Sequence, residues 1–159
     1  MRAAWSLSLV LLLASCTDRV VYQADVPVPD AHWDRSHTPE FKFLVKDTVR
    51  PHDVYIDVRH TSEYPYQDLY LFVDLWDAEG RHLRDTVDCL LADPAGRWLG
   101  KGTGFIHADR YEAHVLYRYR DRFPRADTFT VRLEQAMRVE RLPGILDVGI
   151  SVERSAVGE

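Results

Sequence analysis

The sequence predicts an all-β domain, an antiparallel β-sandwich of about eight strands. Three observations carry this expectation. Five segments alternate apolar and polar residues with period two, those segments are rich in β-branched and aromatic residues, and helix signals are sparse. Taken in order, Arg19 to Val26 is a candidate first strand. Pro27 to Pro39 holds three prolines, two histidines and Trp33, so it is expected to run extended. Phe41, Phe43 and Val45 then alternate with Lys42, Leu44 and Lys46, and Val54, Ile56 and Val58 alternate with Asp53, Tyr55, Asp57 and Arg59. Thr61 to Asp68 is a loop, because Pro65 in Tyr64-Pro65-Tyr66 cannot donate to a central ladder.

Leu69 to Trp76 is apolar on both faces and is expected to be central. Asp77-Ala78-Glu79-Gly80 reads as a turn, which folds His82 to Leu91 back onto it. The longest break runs from Ala92 to Asp109 and contains Gly96, Gly100, Gly102 and Gly104. Ala113 to Tyr119 has mixed patterning and is a weaker strand candidate. Phe129, Val131 and Leu133 alternate with threonines, Arg132 and Glu134. Glu134 to Leu142 is the best helical stretch, but Pro143-Gly144 stops it, so it reads as a strand end bending into a turn. Val148, Ile150 and Val152 supply the last strand.

Ahead of this domain, Met1-Arg2 precedes an apolar run to Leu13 that ends in Leu13-Ala14-Ser15-Cys16. That is the charged, apolar and small-residue order of a secretory signal. The run is far short of the ~20 residues a spanning helix needs. Leu-Ala-Ser-Cys resembles the bacterial lipobox, so the fold is expected to follow a cleaved lipoprotein signal peptide. In that reading Cys16 is the lipid attachment site, carrying a covalent diacylglycerol and an N-acyl chain, with no other cofactor. Two or more chains suffice for stable anchoring, since acyl burial contributes about 0.8 kcal/mol per CH₂. The expected organisation is a signal peptide over 1–15, a lipidated N-terminus and extended or first-strand segment over 16–40, a sandwich over 41–154 and a tail over 155–159.

The chain carries 25 Asp and Glu against 20 Lys and Arg, a formal net charge of −5. It has no basic stripe of the kind nucleic-acid binding requires. With Cys16 consumed by lipid, Cys89 is unpaired, lies in an apolar run, and reads as a small buried hydrophobe. The seven histidines, among them His52, His60, His82 and His114, show no metal-ligand spacing on a predicted helix, and surface loops are their default expectation. Gly100-Lys101-Gly102-Thr103-Gly104 lacks the strand, helix and spacing of a phosphate-cradling loop. No serine sits in a nucleophile elbow. The expectation is no catalytic residues and no metal, and hence no enzyme.

The aromatic residues stand out. Trp33, Tyr64, Tyr66, Tyr70, Trp76 and Trp98 fall in loops or on outward strand positions. They suit either plugging of the sandwich ends or recognition, since Tyr and Trp are enriched at interfaces. Trp98, Tyr64 and Tyr66 are the candidate interaction surface.

The motifs also form an ordered series: the lipobox, Trp33-Asp34, Phe41-Lys42-Phe43, Val58-Arg59-His60, and Tyr64 to Phe72 (YPYQDLYLF). Asp85-Thr86, Leu91-Ala92-Asp93, Gly96 to Gly102 (GRWLGKG), Glu134 to Arg138 (EQAMR), Leu142-Pro143-Gly144-Ile145 and Asp147-Val148-Gly149-Ile150 follow. Together they resemble the gliding motility-associated lipoprotein GldH family of the Bacteroidetes over nearly the whole chain. The resemblance implies a membrane-bound envelope lipoprotein, at the outer membrane on either its periplasmic or its surface face. It also implies partners among the other gliding and type IX secretion envelope proteins, with no nucleic acid and no small-molecule cofactor. It brings no catalytic residues, and Cys16 is the one functional position it transfers. The alternative reading from the residues is a glycan-binding lipoprotein that stacks sugars on exposed Trp and Tyr.

Overall fold

The computed structural model describes residues 19–103 and 107–156; Cys16, the leader and the last three residues of the tail lie outside the described residues. Eleven strands and one 3-10 turn make up the described chain. The strands are β1 (Val20–Pro27), β2 (His32–Asp34), β3 (Glu40–Val45), β4 (His52–Thr61), β5 (Asp68–Trp76), β6 (His82–Leu90), β7 (Lys101–Thr103), β8 (His107–Asp121), β9 (Asp127–Gln135), β10 (Arg141–Pro143) and β11 (Ile145–Arg154). A five-stranded sheet has the order β1-β11-β4-β8-β7, a four-stranded sheet has the order β3-β9-β5-β6, and β10 pairs with β2 in a small ribbon. Every pairing is antiparallel.

The period-two pattern explains the layering. Val54, Ile56 and Val58 of β4 and Val148, Ile150 and Val152 of β11 face inward from the larger sheet. Phe41, Phe43, Leu69, Leu71, Val73, Val131 and Leu133 meet them from the smaller one. All are buried in one cluster. Each such side chain stabilises the fold by about 1.5–3 kcal/mol relative to exposure. A slip of one residue would turn a whole row outward, so the pattern also fixes the register.

The eight long strands are those the pattern predicts; β2, β7 and β10, three residues each, make up the difference. Strand β5 is interior to its sheet, as its two apolar faces require. Its outer face is covered by ionic side chains. Buried Asp74 accepts from His82 at 2.7 Å, Arg84 at 2.8 Å and Arg132 at 3.0 Å. The two guanidinium groups lie over Phe72 and Trp76 at 4.4 and 4.9 Å. Burial opposes ionisation of Asp74, but the bonds from His82, Arg132 and Arg84 prevail and hold its carboxyl below the ordinary range. Strand β6 is the open edge of this sheet, and its Asp85 is tied to Tyr117 and Arg118 of β8.

Four expectations are corrected. The sandwich begins at Val20, not at residue 41, because β1 pairs with β11 along its length. The segment from Pro27 to Pro39 is not simply extended: Pro29–Ala31 forms a 3-10 turn with Asp30 and Ala31 both at φ 53, and β2 then buries Trp33. Trp33 Nε1 donates to the His37 carbonyl at 2.7 Å, so its polar edge is satisfied. The break from Ala92 to Asp109 contains β7, and β8 starts at His107 rather than at Ala113. Finally, surface loops are not the rule for the histidines. His52 and His60 are buried, because they share the inward parity of Val54, Ile56 and Val58 on β4.

Because β1 and β4 both pair antiparallel with β11, they run the same way. The start of β1 therefore lies at the same end as His52, and His60 lies at the other. Nine strand residues span about 30 Å. We call these the entry end and the distal end.

Candidate interaction surface at the distal end

Two loops and two strands build the distal end. The loop between β4 and β5 turns at Thr61, whose carbonyl accepts the Tyr64 amide at 3.2 Å. Its shape depends on Gly144, which has φ +83 and donates to the Ala31 carbonyl. A Cβ on Gly144 would stand 2.5 Å from the Tyr64 nitrogen. Only glycine lets the Pro143-Gly144 corner close against this loop. The Gln67 carbonyl then accepts amides of both Leu91 and Ala92, at 2.8 and 3.0 Å. That joins the first loop to a second, in which Ala92 bridges Trp98.

The second loop is a tight turn around Asp93. Its carboxylate accepts the Ala95 and Arg97 amides at 2.9 Å each and Arg97 Nε at 2.8 Å, while Gly96 donates to its carbonyl. Asp77 organises the hairpin of β5 and β6 through the same set: Glu79 and Arg81 amides, Arg81 Nε, and Gly80 to its carbonyl. Both turns read Asp-x-x-Gly-Arg. The second one holds Trp98 in place, and the shared spacing is the sequence signal that locates it.

The trio named from the sequence is brought together, with one correction and two additions. Tyr64 is in contact with Tyr66 at 5.8 Å and with Trp98 at 6.3 Å between ring centroids. Tyr66 is 37% exposed and Trp98 is half-buried. Tyr64, in contrast, is buried, with its hydroxyl donating to the Asp68 carbonyl at 2.7 Å. It supports the surface from beneath and does not present a face to a partner. His60 and Tyr111 join the group: His60 meets Trp98 edge-on at 4.6 Å and stacks on Tyr111 at 5.5 Å, and Trp98 lies 5.7 Å from Tyr111. Both share the inward parity of their strands.

Burial sets the charge of this cluster. It pushes the Tyr64 phenol far above its usual range and lowers the pKa of His60, only partly offset by the bond to the Thr61 carbonyl. Both shifts favour the uncharged form of Tyr64 and His60, in a cluster that is apolar in body and polar at the rim. Each well-placed pair contributes about 0.5–1.5 kcal/mol beyond its area.

Beside this end, the outer face of the larger sheet carries a basin of about 530 Å³ lined by Gln23, Asp57, Leu99, Gly100, Glu112 and His114. Asp57 accepts from His114 Nδ1 at 2.5 Å and from the Ser151 hydroxyl. The carboxylate thus stands between hydroxyl and imidazole, whereas a serine triad has the imidazole between the other two. Arg59 pairs with Asp147. Asp25 lies across Gly149, where a Cβ would be 2.1 Å from its Oδ1, and its pKa is raised by burial and then by Asp57 and Asp147. No group of three or more His, Cys, Asp or Glu side chains among the described residues is arranged to hold a metal ion. Cys89 is buried, and burial pushes its thiol up to about 12.

Comparison with known proteins assigns the chain. The family model described as GldH lipoprotein matches residues 20–152. The gliding motility lipoprotein GldH homolog of Christiangramia forsetii is 28% identical over 166 aligned residues, covering 98% of this chain and 99% of its own. The gliding motility lipoprotein GldH of Flavobacterium johnsoniae is 28% identical over 151, covering 91% of each. Among solved structures, the CBM35 from Cellvibrio japonicus Abf62 is 12% identical, covers 91% of this chain and 96% of its own, and aligns with a TM-score of 0.29, a level that carries no argument about ligand. The family match spans the sandwich from its first strand to its last, and the chain belongs to the GldH lipoprotein family.

Proposed function

We propose that this protein is a lipid-anchored accessory component of the gliding motility apparatus, linked to type IX secretion, that acts by protein–protein contact and without catalysis. In this reading a diacylglycerol and an N-acyl chain on Cys16 hold it at the outer membrane, and Trp98 with Tyr66 meets its partner. Family membership and the names of both relatives support the gliding role. The observation that carries the contact reading is the cluster of aromatic rings at the end opposite the chain's entry, partly open to solvent and held by two hydrogen-bonded loops. Aromatic anchors in such settings dominate interface energetics.

The test is cross-linking in intact cells, affinity purification of the tagged protein and identification of its neighbours, for the wild type and for a Trp98→Ala/Tyr66→Ala variant. Gliding or secretion envelope proteins recovered with the wild type and lost with the variant are the expected result. Normal gliding and secretion in a deletion strain of a gliding species would sink the proposal. The glycan reading is favoured by one observation, the carboxylate-lined basin reaching Leu99 and Gly100 beside Trp98. A polysaccharide array with no signal above background removes it.

A further inference from the structure

The two most exposed large apolar side chains among the described residues are Val49, at 76%, and Tyr119, at 68%. Both lie at the entry end. Val49 is in the loop between β3 and β4, where the Arg122 guanidinium donates to its carbonyl, and Tyr119 is near the end of β8. The charges around them are arranged with a surplus of one sign. The carboxylates here are paired or buried: Asp47 with Arg50, Glu153 with Arg19, Asp121 with Arg118, and Asp77, Glu79 and Asp127 together around Arg125. Asp53 is buried and accepts the Arg120 amide and the Ser155 hydroxyl. Lys46, Arg120 and Arg122 have no carboxylate partner among the described residues; Arg120 and Arg122 reach only main-chain carbonyls. Three cations free of carboxylates thus stand beside the two exposed apolar side chains, in a chain whose formal net charge is −5.

We infer that the entry end is a membrane-docking surface that sets the sandwich upright on an anionic phospholipid bilayer. The inference rests on the Cys16 anchor proposed above. Three residue steps separate Cys16 from Arg19, whose carbonyl is already fixed by the Arg154 amide at 2.8 Å. Three steps reach about 11 Å at most. An anchor that short holds the Val49 loop and Tyr119 at headgroup depth. There an apolar tip enters the acyl boundary, tyrosine suits the interface, and each cation adds about fivefold to partitioning onto anionic lipid. Docking turns the distal rings about 30 Å away from the bilayer.

The test uses the full-length lipidated protein on vesicles of phosphatidylethanolamine and phosphatidylglycerol carrying brominated acyl chains. A polarity-sensitive fluorophore is placed by Val49→Cys or, at the distal end, by Ala95→Cys. Buried Cys89 does not compete for the label. The probe at position 49 is expected to be quenched by the lipid and the probe at 95 not. Quenching at 49 is lost at about 1 M salt, where screening reaches ~3 Å. It is also lost in Lys46→Glu/Arg120→Glu/Arg122→Glu, which stays vesicle-bound through its anchor. A lipidated protein whose two probes are equally unquenched, or whose probe at 95 is the quenched one, overturns the docking surface alone. An N-terminal peptide without acyl mass overturns the anchor reading, and the inference with it.

Discussion

Strand β4 carries a buried histidine near each end, and the two are housed differently. His52 packs edge-on against Phe123 at 5.6 Å, in a group that continues through Phe129, Phe43 and Tyr22. Neither of its ring nitrogens has a partner among the described residues. His60 bonds the Thr61 carbonyl at 3.0 Å, and its neighbours are Tyr64, Trp98 and Tyr111, rings with polar tips. One strand therefore carries a sealed hydrocarbon plug and an amphipathic cap. Phenylalanine gains nothing from water contact, whereas tyrosine and tryptophan can face it with one edge. The ring types at each end show which histidine is sealed from water and which sits under rings that reach it.

The comparison is broken most strongly at the plug. Phe129→Ala is expected to cost about 3–5 kcal/mol by the cavity it leaves, read from equilibrium urea unfolding. Tyr66→Ala at the cap is expected to cost less than about 1 kcal/mol in the same measurement. Equal losses would mean that the ends are energetically alike. Gly144→Ala comes next. It forces a side chain into the left-handed region and into the Tyr64 backbone, for an expected loss of about 1–3 kcal/mol. A midpoint unchanged by that substitution would show that the corner does not hold the cap.

A smaller effect appears with pH. Burial lowers the pKa of both His52 and His60. A depressed folded pKa means that the unfolded chain takes up these protons first. Stability is therefore fully present above the ordinary histidine value of about 6.5 and is lost as pH falls below it. His52→Phe, which suits a cage of phenylalanines, should reduce the loss between pH 7.5 and pH 5.5. A slope identical to wild type in a His52→Phe/His60→Gln double variant would assign the acid sensitivity elsewhere. Least for stability is Trp98→Phe, which keeps a ring against His60 and Tyr111 and is expected to cost less than about 1 kcal/mol by thermal or urea unfolding, while cross-linked partners are lost.

Five of the eight long strands were legible from period-two alternation, and β1, β6 and β8 only as weaker candidates placed by a turn or by mixed patterning. The strand parity of His52 and His60 was also legible, but their type suggests loops more than their position suggests burial. The Asp93 turn was available as a repeat of the Asp77 spacing. Tyr64 could not be placed from sequence. Its neighbours Glu63, Pro65 and Gln67 all read as surface, and the burial comes from Gly144, 80 positions away. Three-residue strands such as β2 and β10 carry too few alternations to show a period, and they form because long-range pairing sets Leu142 opposite Trp33. The candidate surface was thus half readable: its loops from local composition, its depth only from contacts between distant segments.

The open edge at β6 has a consequence for crowding. Molecules spread on a surface meet edge to edge far more often than the same number free in a volume, and an unguarded strand edge would string them into ribbons. Strand β6 carries Arg84, Asp85 and Asp88, and Asp85 is clamped across the gap to the facing sheet. A neighbouring copy that tried to extend the sheet would have to strip those charges of water and break that clamp. The edge thus works as a spacer, letting copies pack densely side by side without becoming a filament.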